Sequence, residues 1–386
     1  MPIVPMSSAR TRAETLVREA FLLQGSELPC SPHGGGDRFL FDPFEVNDQV
    51  IADWREAHLD AVVVPTFCMG LDPHAGVVRQ LAAWNSVLHD HRDQLLRVTT
   101  GADFELARAS GRIGVLISLH FGDHFRTLGD VDFFHRLGER SSTVVVRGHN
   151  AIGSAHHERY ESGLTHFGCA IVQRMNEVGM AVDIAHANER TSLDVLDIAT
   201  KPVYVSHACA YGLSPHEKNK SDEVLRKLGE GGGLIAVQPA SQLVRPVEPV
   251  ELTHFVDQIE YIARIAGPQS VGLGFEEPYQ GWGHFQGQNR PVQSVTFQKG
   301  EISDAKLAAT PRPVNQHHIP ELMTRDRYTV LTAALIDRGF SDEEIRGFLG
   351  ENTRRVFSTI MAGDGKPRDY ESDFRAVHTN IGHIAH

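Results

Sequence analysis

Short apolar runs rich in Val, Ile and Leu recur eight times along this chain, and helix-like segments lie between them. The runs are AFLLQG (20–25), AVVVPTF (61–67), GVLISLH (114–120), STVVVRGH (142–149), AVDIAH (181–186), PVYVSH (202–207), LIAVQP (234–239) and SVGLGFE (270–276). Strands that read as continuous apolar runs belong to parallel sheets, because helices cover both faces of such sheets. The intervening segments, such as HAGVVRQLAAWNSVLHDH and LTHFVDQIEYIARIAG, are long enough for right-handed crossover helices. Eight such units predict a closed (β/α)8 barrel. An open doubly wound sheet is the alternative. No GxGxxG follows the first run, which counts against the dinucleotide-binding form of that sheet.

The 386 residues read as one barrel domain, 1–386, with a helical arm at 1–20. After the last run comes a polar stretch, 278–318, with Gly, Pro and aromatic residues but no periodicity. A loop of that length in a compact domain is expected to be a lid or a wall of the active site. Two helices and a polar tail occupy 321–386. The second helix opens with Ser341 and Glu344, a capping box.

The charge balance is acidic, -12, which excludes the basic footprint needed for nucleic acid. The four cysteines show no CxxC pairing, which fits a reducing compartment. No run approaches the roughly 18 apolar residues of a membrane span. The start reads as an amphipathic helix and not as a signal peptide. A cytoplasmic protein without membrane or nucleic-acid partners is expected, acting on a small molecule. Its polar tail after about 362 is read either as loosely ordered or as packed against another subunit in a homodimer.

In such barrels the functional groups sit at the C-terminal ends of strands. Those ends here carry His120, His149, His186, His207 and Glu276. Neutral imidazoles converging on one rim are the usual way to hold zinc or a related divalent ion. One strand-end histidine is most often a structural residue; four at successive strands are not a chance pattern. His58 and Asp60 form an HxD pair, but they precede a strand and belong to the opposite, stabilising end. His89 and His91 are expected to be solvated. His124, in HFGDHF, is a candidate support for the site. Cys209 reads as a packing residue, and no GxSxG elbow is present for a serine hydrolase.

The segment VQRMNEVGMAVDIAHANERTSLDVLDIATKPVYVSHACAYGL (172–213) resembles the membrane dipeptidase family, zinc peptidases that cleave dipeptides inside a (β/α)8 barrel. Its Met-Asn-x-x-Gly turn, its D-[LI]-[SA]-H ending and its K-P-V followed by S-H carry the likeness. VGLGFE (271–276) and GFSDEEIRGFLGENTRRVF (339–357) support it. The resemblance places His186 and His207 on metal-binding positions and His120 on the position of the family's bridging glutamate. It places His149 on a histidine that contacts substrate, Lys218 on a carboxylate-holding arginine, and Glu276 on an acid–base aspartate. The first run departs from the family's Asp-Gly-His-x-Asp: Ser26 stands where the histidine belongs, and no aspartate follows.

These residues imply a single divalent ion, zinc by donor type, held by His120, His186 and His207. His149 and Glu276 are then catalytic, and His149 and Lys218 bind substrate. The expected reaction is hydrolysis of an amide bond in a dipeptide-like or N-acyl substrate. The altered ligand set leaves two other readings open, a metal-dependent lyase or isomerase and a catalytically silent ligand-binding homologue.

Overall fold

The computed structural model describes residues 8–27, 43–67, 72–247, 249–276 and 319–362. The 278–318 stretch and the tail beyond 362, together with Cys30 and Cys68, lie outside the described residues.

Nine strands form one sheet: β1 (Leu23–Gln24), β2 (Ala61–Phe67), β3 (Leu95–Arg97), β4 (Ile113–His120), β5 (Glu139–Thr143), β6 (Ala181–Asp183), β7 (Tyr204–Ala208), β8 (Leu234–Val237) and β9 (Val271–Leu273). Every pairing is parallel, in the order β1-β2-β4-β5-β6-β7-β8-β9. Two backbone bonds join the ends of that order, Gly25 N–H to Leu273 O at 2.7 Å and Glu276 N–H to Ser26 O at 2.8 Å. The sheet therefore closes, and the fold is the (β/α)8 barrel. The ninth strand, β3, takes the lower part of one edge of β4, pairing Leu95–Arg97 with Ile113–Val115, while β5 takes the upper part.

Two apolar layers hold this ring. The larger lies between strands and outer helices and includes Val62, Val64, Ile117, Ile235, Trp54 and Trp84. The smaller fills the barrel interior with Leu23, Ala61, Val63, Leu116, Ala181, Tyr204, Leu234 and Ala236. The helix Asn352–Met361 adds Val356, Phe357 and Ile360 to that interior layer from below. Tyr204 donates to Gly25 O at 2.5 Å across the interior, and a side chain at Gly25 would meet that hydroxyl. The outer helices follow their sequence signals. Ser221 caps Asp222–Glu230, its hydroxyl accepting from Val224 N–H at 3.2 Å, and Val224, Leu225 and Leu228 face inward. The expected capping box of Ser341 and Glu344 is present. No described helix is long and apolar enough to cross a membrane.

One strand departs from its expected place. The run 142–149 was expected as a strand ending in His149, but β5 is Glu139–Thr143, and Val144–Val146 lie buried beyond it. Glu139, Arg140 and Thr143 of this strand find partners on neighbouring segments, while the Ser141 and Ser142 hydroxyls are buried without one among the described residues. Arg140 donates to Thr99 O and His135 O, Glu139 meets His124, and Thr143 bonds Asp183. A scan for apolar runs passes over such a strand and settles on the valines next to it.

Candidate metal centre

At the C-terminal end of the barrel, ligand atoms of His120, His207 and Glu276 all lie within 4.8 Å of one another. His120 closes β4, His207 lies in β7, and Glu276 follows β9. Glu276 Oε2 is 3.1 Å from His207 Nε2, and Oε1 is 3.7 Å from His120 Nδ1. The His120 and His207 rings stack at 5.2 Å with 4° between their planes. His186, in the turn after β6, adjoins the group with its Nε2 at 2.8 Å from His207 Nε2.

Hydrogen bonding fixes the proton on His207. Asp183 is fully buried and accepts from Ser206 Oγ at 2.5 Å, Thr143 Oγ1 at 2.7 Å, Ala185 N–H at 2.9 Å and Ser206 N–H at 3.1 Å. The Ser206 hydroxyl gives its hydrogen to that carboxylate. It therefore accepts from His207, whose Nδ1 is 2.7 Å away. His207 Nε2 is left as an acceptor, 2.8 Å from His186 Nε2 and 3.1 Å from Glu276 Oε2.

Burial first, and then the positive charge of Lys218, bring the His120 imidazole down to about 3. The same two causes, in the same order, hold His186 and His207 well below the ordinary imidazole range. These rings are neutral at pH 7 and ready to act as ligands. His120 Nδ1 is buried without a hydrogen-bond partner among the described residues. Two imidazoles and a carboxylate thus bring ligand atoms together at short range. Nitrogen donors with one carboxylate oxygen suit zinc.

Two backbone strains mark the same rim. Phe121, directly after His120, has φ 87°, and Glu276 has φ 50°. Both are unusual for residues with a Cβ, and such strain concentrates at functional sites. His124 stands behind Phe121: it bonds Phe121 O at 2.8 Å and Glu139 at 3.2 Å, so it supports the turn that carries His120.

A model of the membrane dipeptidase family, peptidase family M19, matches residues 51–290. The chain belongs to that family. Solved structures agree in fold. An amidohydrolase from Pseudomonas aeruginosa has a TM-score of 0.72 at 24% identity, covering 90% of this chain and 99% of that one. A dipeptidase described as a metallopeptidase of family M19 has 0.69 at 14%, covering 89% and 99%. A metallopeptidase from Rhodobacter sphaeroides, bound to a phosphinate mimic of L-Ala-D-Ala, has 0.66 at 13%, covering 88% and 99%. Membrane dipeptidases are metal-dependent hydrolases, and the cluster above is a group whose residue types could hold an ion.

The structure arranges the residues expected from sequence unevenly. His120, His207 and Glu276 form one cluster, with His186 beside His207. Lys218 is buried near them and donates to Gln238 Oε1 at 2.8 Å. His149 lies farther out on an exposed loop, with Nδ1 2.7 Å from Ser154 Oγ and 3.3 Å from Ser162 Oγ. At the end of β1, where other membrane dipeptidases carry a histidine and an aspartate, Ser26 gives its carbonyl to Glu276 and Glu27 pairs with Arg327 at 3.1 Å. Asp60 serves the opposite end, accepting from Leu22 N–H at 2.9 Å. Burial pushes the Cys209 thiol up to about 12, and its sulfur faces Gln238 O at 3.1 Å, a packing role.

Three residues were not singled out from the sequence. Asp183 and Ser206 fix the tautomer of His207. His156 places both its peptide N–H and its ring Nδ1 on His186 O, at 2.9 and 3.0 Å. Asp183 and Ser206 stand inside the quoted dipeptidase motif, so their signal was present; His156 carries none beyond being a histidine.

Proposed function

We propose that this membrane dipeptidase relative is a one-ion amidohydrolase that cleaves an amide bond in a dipeptide-like or N-acyl substrate. His120, His207 and Glu276 would hold the ion, with His186 at its side. When bound, a divalent ion such as zinc acidifies water and polarises a carbonyl. Glu276 takes the proton of the attacking water and passes it to the leaving nitrogen as the C–N bond breaks. The products are a carboxylic acid and an amine. His149 is assigned to the substrate carbonyl oxygen, where a donor steadies developing negative charge. Lys218 supplies the positive charge for an anionic group; a lysine lacks the bidentate fork of arginine, so the demand for a carboxylate is looser.

The observation that carries this reading is the meeting of His120, His207 and Glu276, whose ligand atoms lie within 4.8 Å of one another. The test is elemental analysis of the zinc-reconstituted protein, followed by hydrolysis of a panel of dipeptides and N-acyl amino acids. One ion per chain with amide cleavage, both lost in His207→Ala, is the expected result. Absence of any divalent ion under every reconstitution removes the proposal. A second reading, a metal-dependent lyase or isomerase, is favoured by Ser26 in place of a ligand. One bound ion with no hydrolysis across the panel would select it.

A further inference from the structure

Gln238 lies just after β8, with its side chain between two charges. Its backbone is fixed on both sides, N–H to Ala208 O at 3.1 Å and O to Cys209 Sγ at 3.1 Å. Its amide has two different ends, and the neighbours decide which faces where. The Lys218 ammonium can only donate, so it takes the carbonyl oxygen at 2.8 Å. The amide nitrogen is then turned to Glu276 Oε2 at 3.2 Å. That oxygen is the one 3.1 Å from His207 Nε2. Gln238 is 6% exposed, so water competes little for either bond.

We infer that Gln238 is a positioning residue for Glu276, and that Lys218 sets the direction of its amide. Glu276 sits on a left-handed backbone, φ 50°, which does not by itself dictate where the carboxylate turns. The amide N–H holds Oε2 against His207 and leaves Oε1 toward His120. Without the lysine the amide loses the anchor on its carbonyl oxygen, and only the bond to Glu276 is left to hold it. Lys218 thus acts on the centre through a neutral link as well as by its field. The inference rests on the reading that the centre holds an ion.

Cobalt(II) titrated into the full-length metal-free protein tests it, read by the d–d absorption bands and by competition with a chromophoric chelator. Gln238→Met keeps the volume and removes both polar ends; Gln238→Asn keeps the amide but cannot span the gap. Both variants are expected to weaken cobalt binding roughly 10- to 100-fold, the usual effect of removing a group that orients a ligand, and to alter the bands. Lys218→Met is expected to alter the bands in the wild-type background and to alter them less in Gln238→Met, where only its field is left to remove. A purely structural role would lower the melting temperature and leave the bands of the folded protein as they are. Wild-type affinity and bands in both Gln238 variants would overturn the inference while the ion reading stands. No cobalt uptake by the wild-type protein would overturn both.

Discussion

Replacing Asp183 by Asn is the sharpest probe of the centre, because it changes one proton and almost no volume. The aspartate accepts two backbone N–H groups on Oδ1 and two hydroxyls on Oδ2. An asparagine keeps the first pair by placing its carbonyl there. Its NH2 then faces the hydroxyls of Thr143 and Ser206, which must turn to accept. The Ser206 hydrogen is released and points to His207 Nδ1, 2.7 Å away. His207 must then carry its proton on Nε2, where the lone pair for the ion was. Losing a group that orients a ligand costs roughly 10- to 100-fold in metal affinity, or about 1.4–2.8 kcal/mol. The fold loses less than the charged bonds suggest. A charge-assisted bond is worth about 1.5–3 kcal/mol, but removing the desolvated charge offsets part of that. The expected result is a protein that still folds, with zinc affinity at least tenfold weaker and nitrogen NMR showing the His207 proton moved to Nε2. Undiminished zinc affinity, or a proton still on Nδ1, would refute the hydrogen-bond chain from Asp183 through Ser206.

His149→Ala is expected to leave metal affinity unchanged and to lower turnover of a panel substrate by about 10²- to 10³-fold, the loss of one oxyanion donor; an equal fall in metal affinity would place His149 in the centre instead. The metal-free protein should lose stability as pH falls from 6.5 toward 3. In that window an unfolded His120 takes up a proton that the native ring, depressed to about 3, refuses. The slope is about 1.4 kcal/mol per pH unit for each such ring, and urea midpoints at pH 7.5 and 5 measure it; equal midpoints would count against neutral buried imidazoles. Gly25→Ala puts a methyl 2.5 Å from the Tyr204 hydroxyl and 2.9 Å from Leu273 O. Overpacking of that kind costs about 1–3 kcal/mol, and a melting curve that matches wild type would contradict the close approach across the barrel.

Much of the barrel could be read from the chain because parallel strands covered on both faces must be apolar throughout. Val62, Val64, Ile117 and Ile235 announce themselves in that way. What escaped reading was polar or short. β3 spans only Leu95–Arg97, and β5 is polar, with Glu139 and Arg140 meeting partners from other segments. The centre followed the same division. His120 and His207 were legible as strand ends, and the family motif reinforced His207. Glu276 was read at a strand end of the same rim, as a catalytic residue; its place among the ligand atoms was not, because it depends on β1 and β9 meeting at Ser26 O, a contact between chain segments far apart in sequence. Gln238 was invisible for a related reason. An amide after a strand means nothing until a lysine and a carboxylate are found on either side of it.

The helix that seals the barrel floor is among the last described parts of the chain, yet Val356, Phe357 and Ile360 pack in one layer with Phe21 and Leu23 from near the start. During synthesis the first strand therefore waits for the last helix to emerge, and long-range closure of this kind is slow. A nascent or truncated chain would have its donors made but not yet gathered. Any ion the centre holds should then be captured only once that helix is in place, and an ion supplied earlier would meet only scattered histidines.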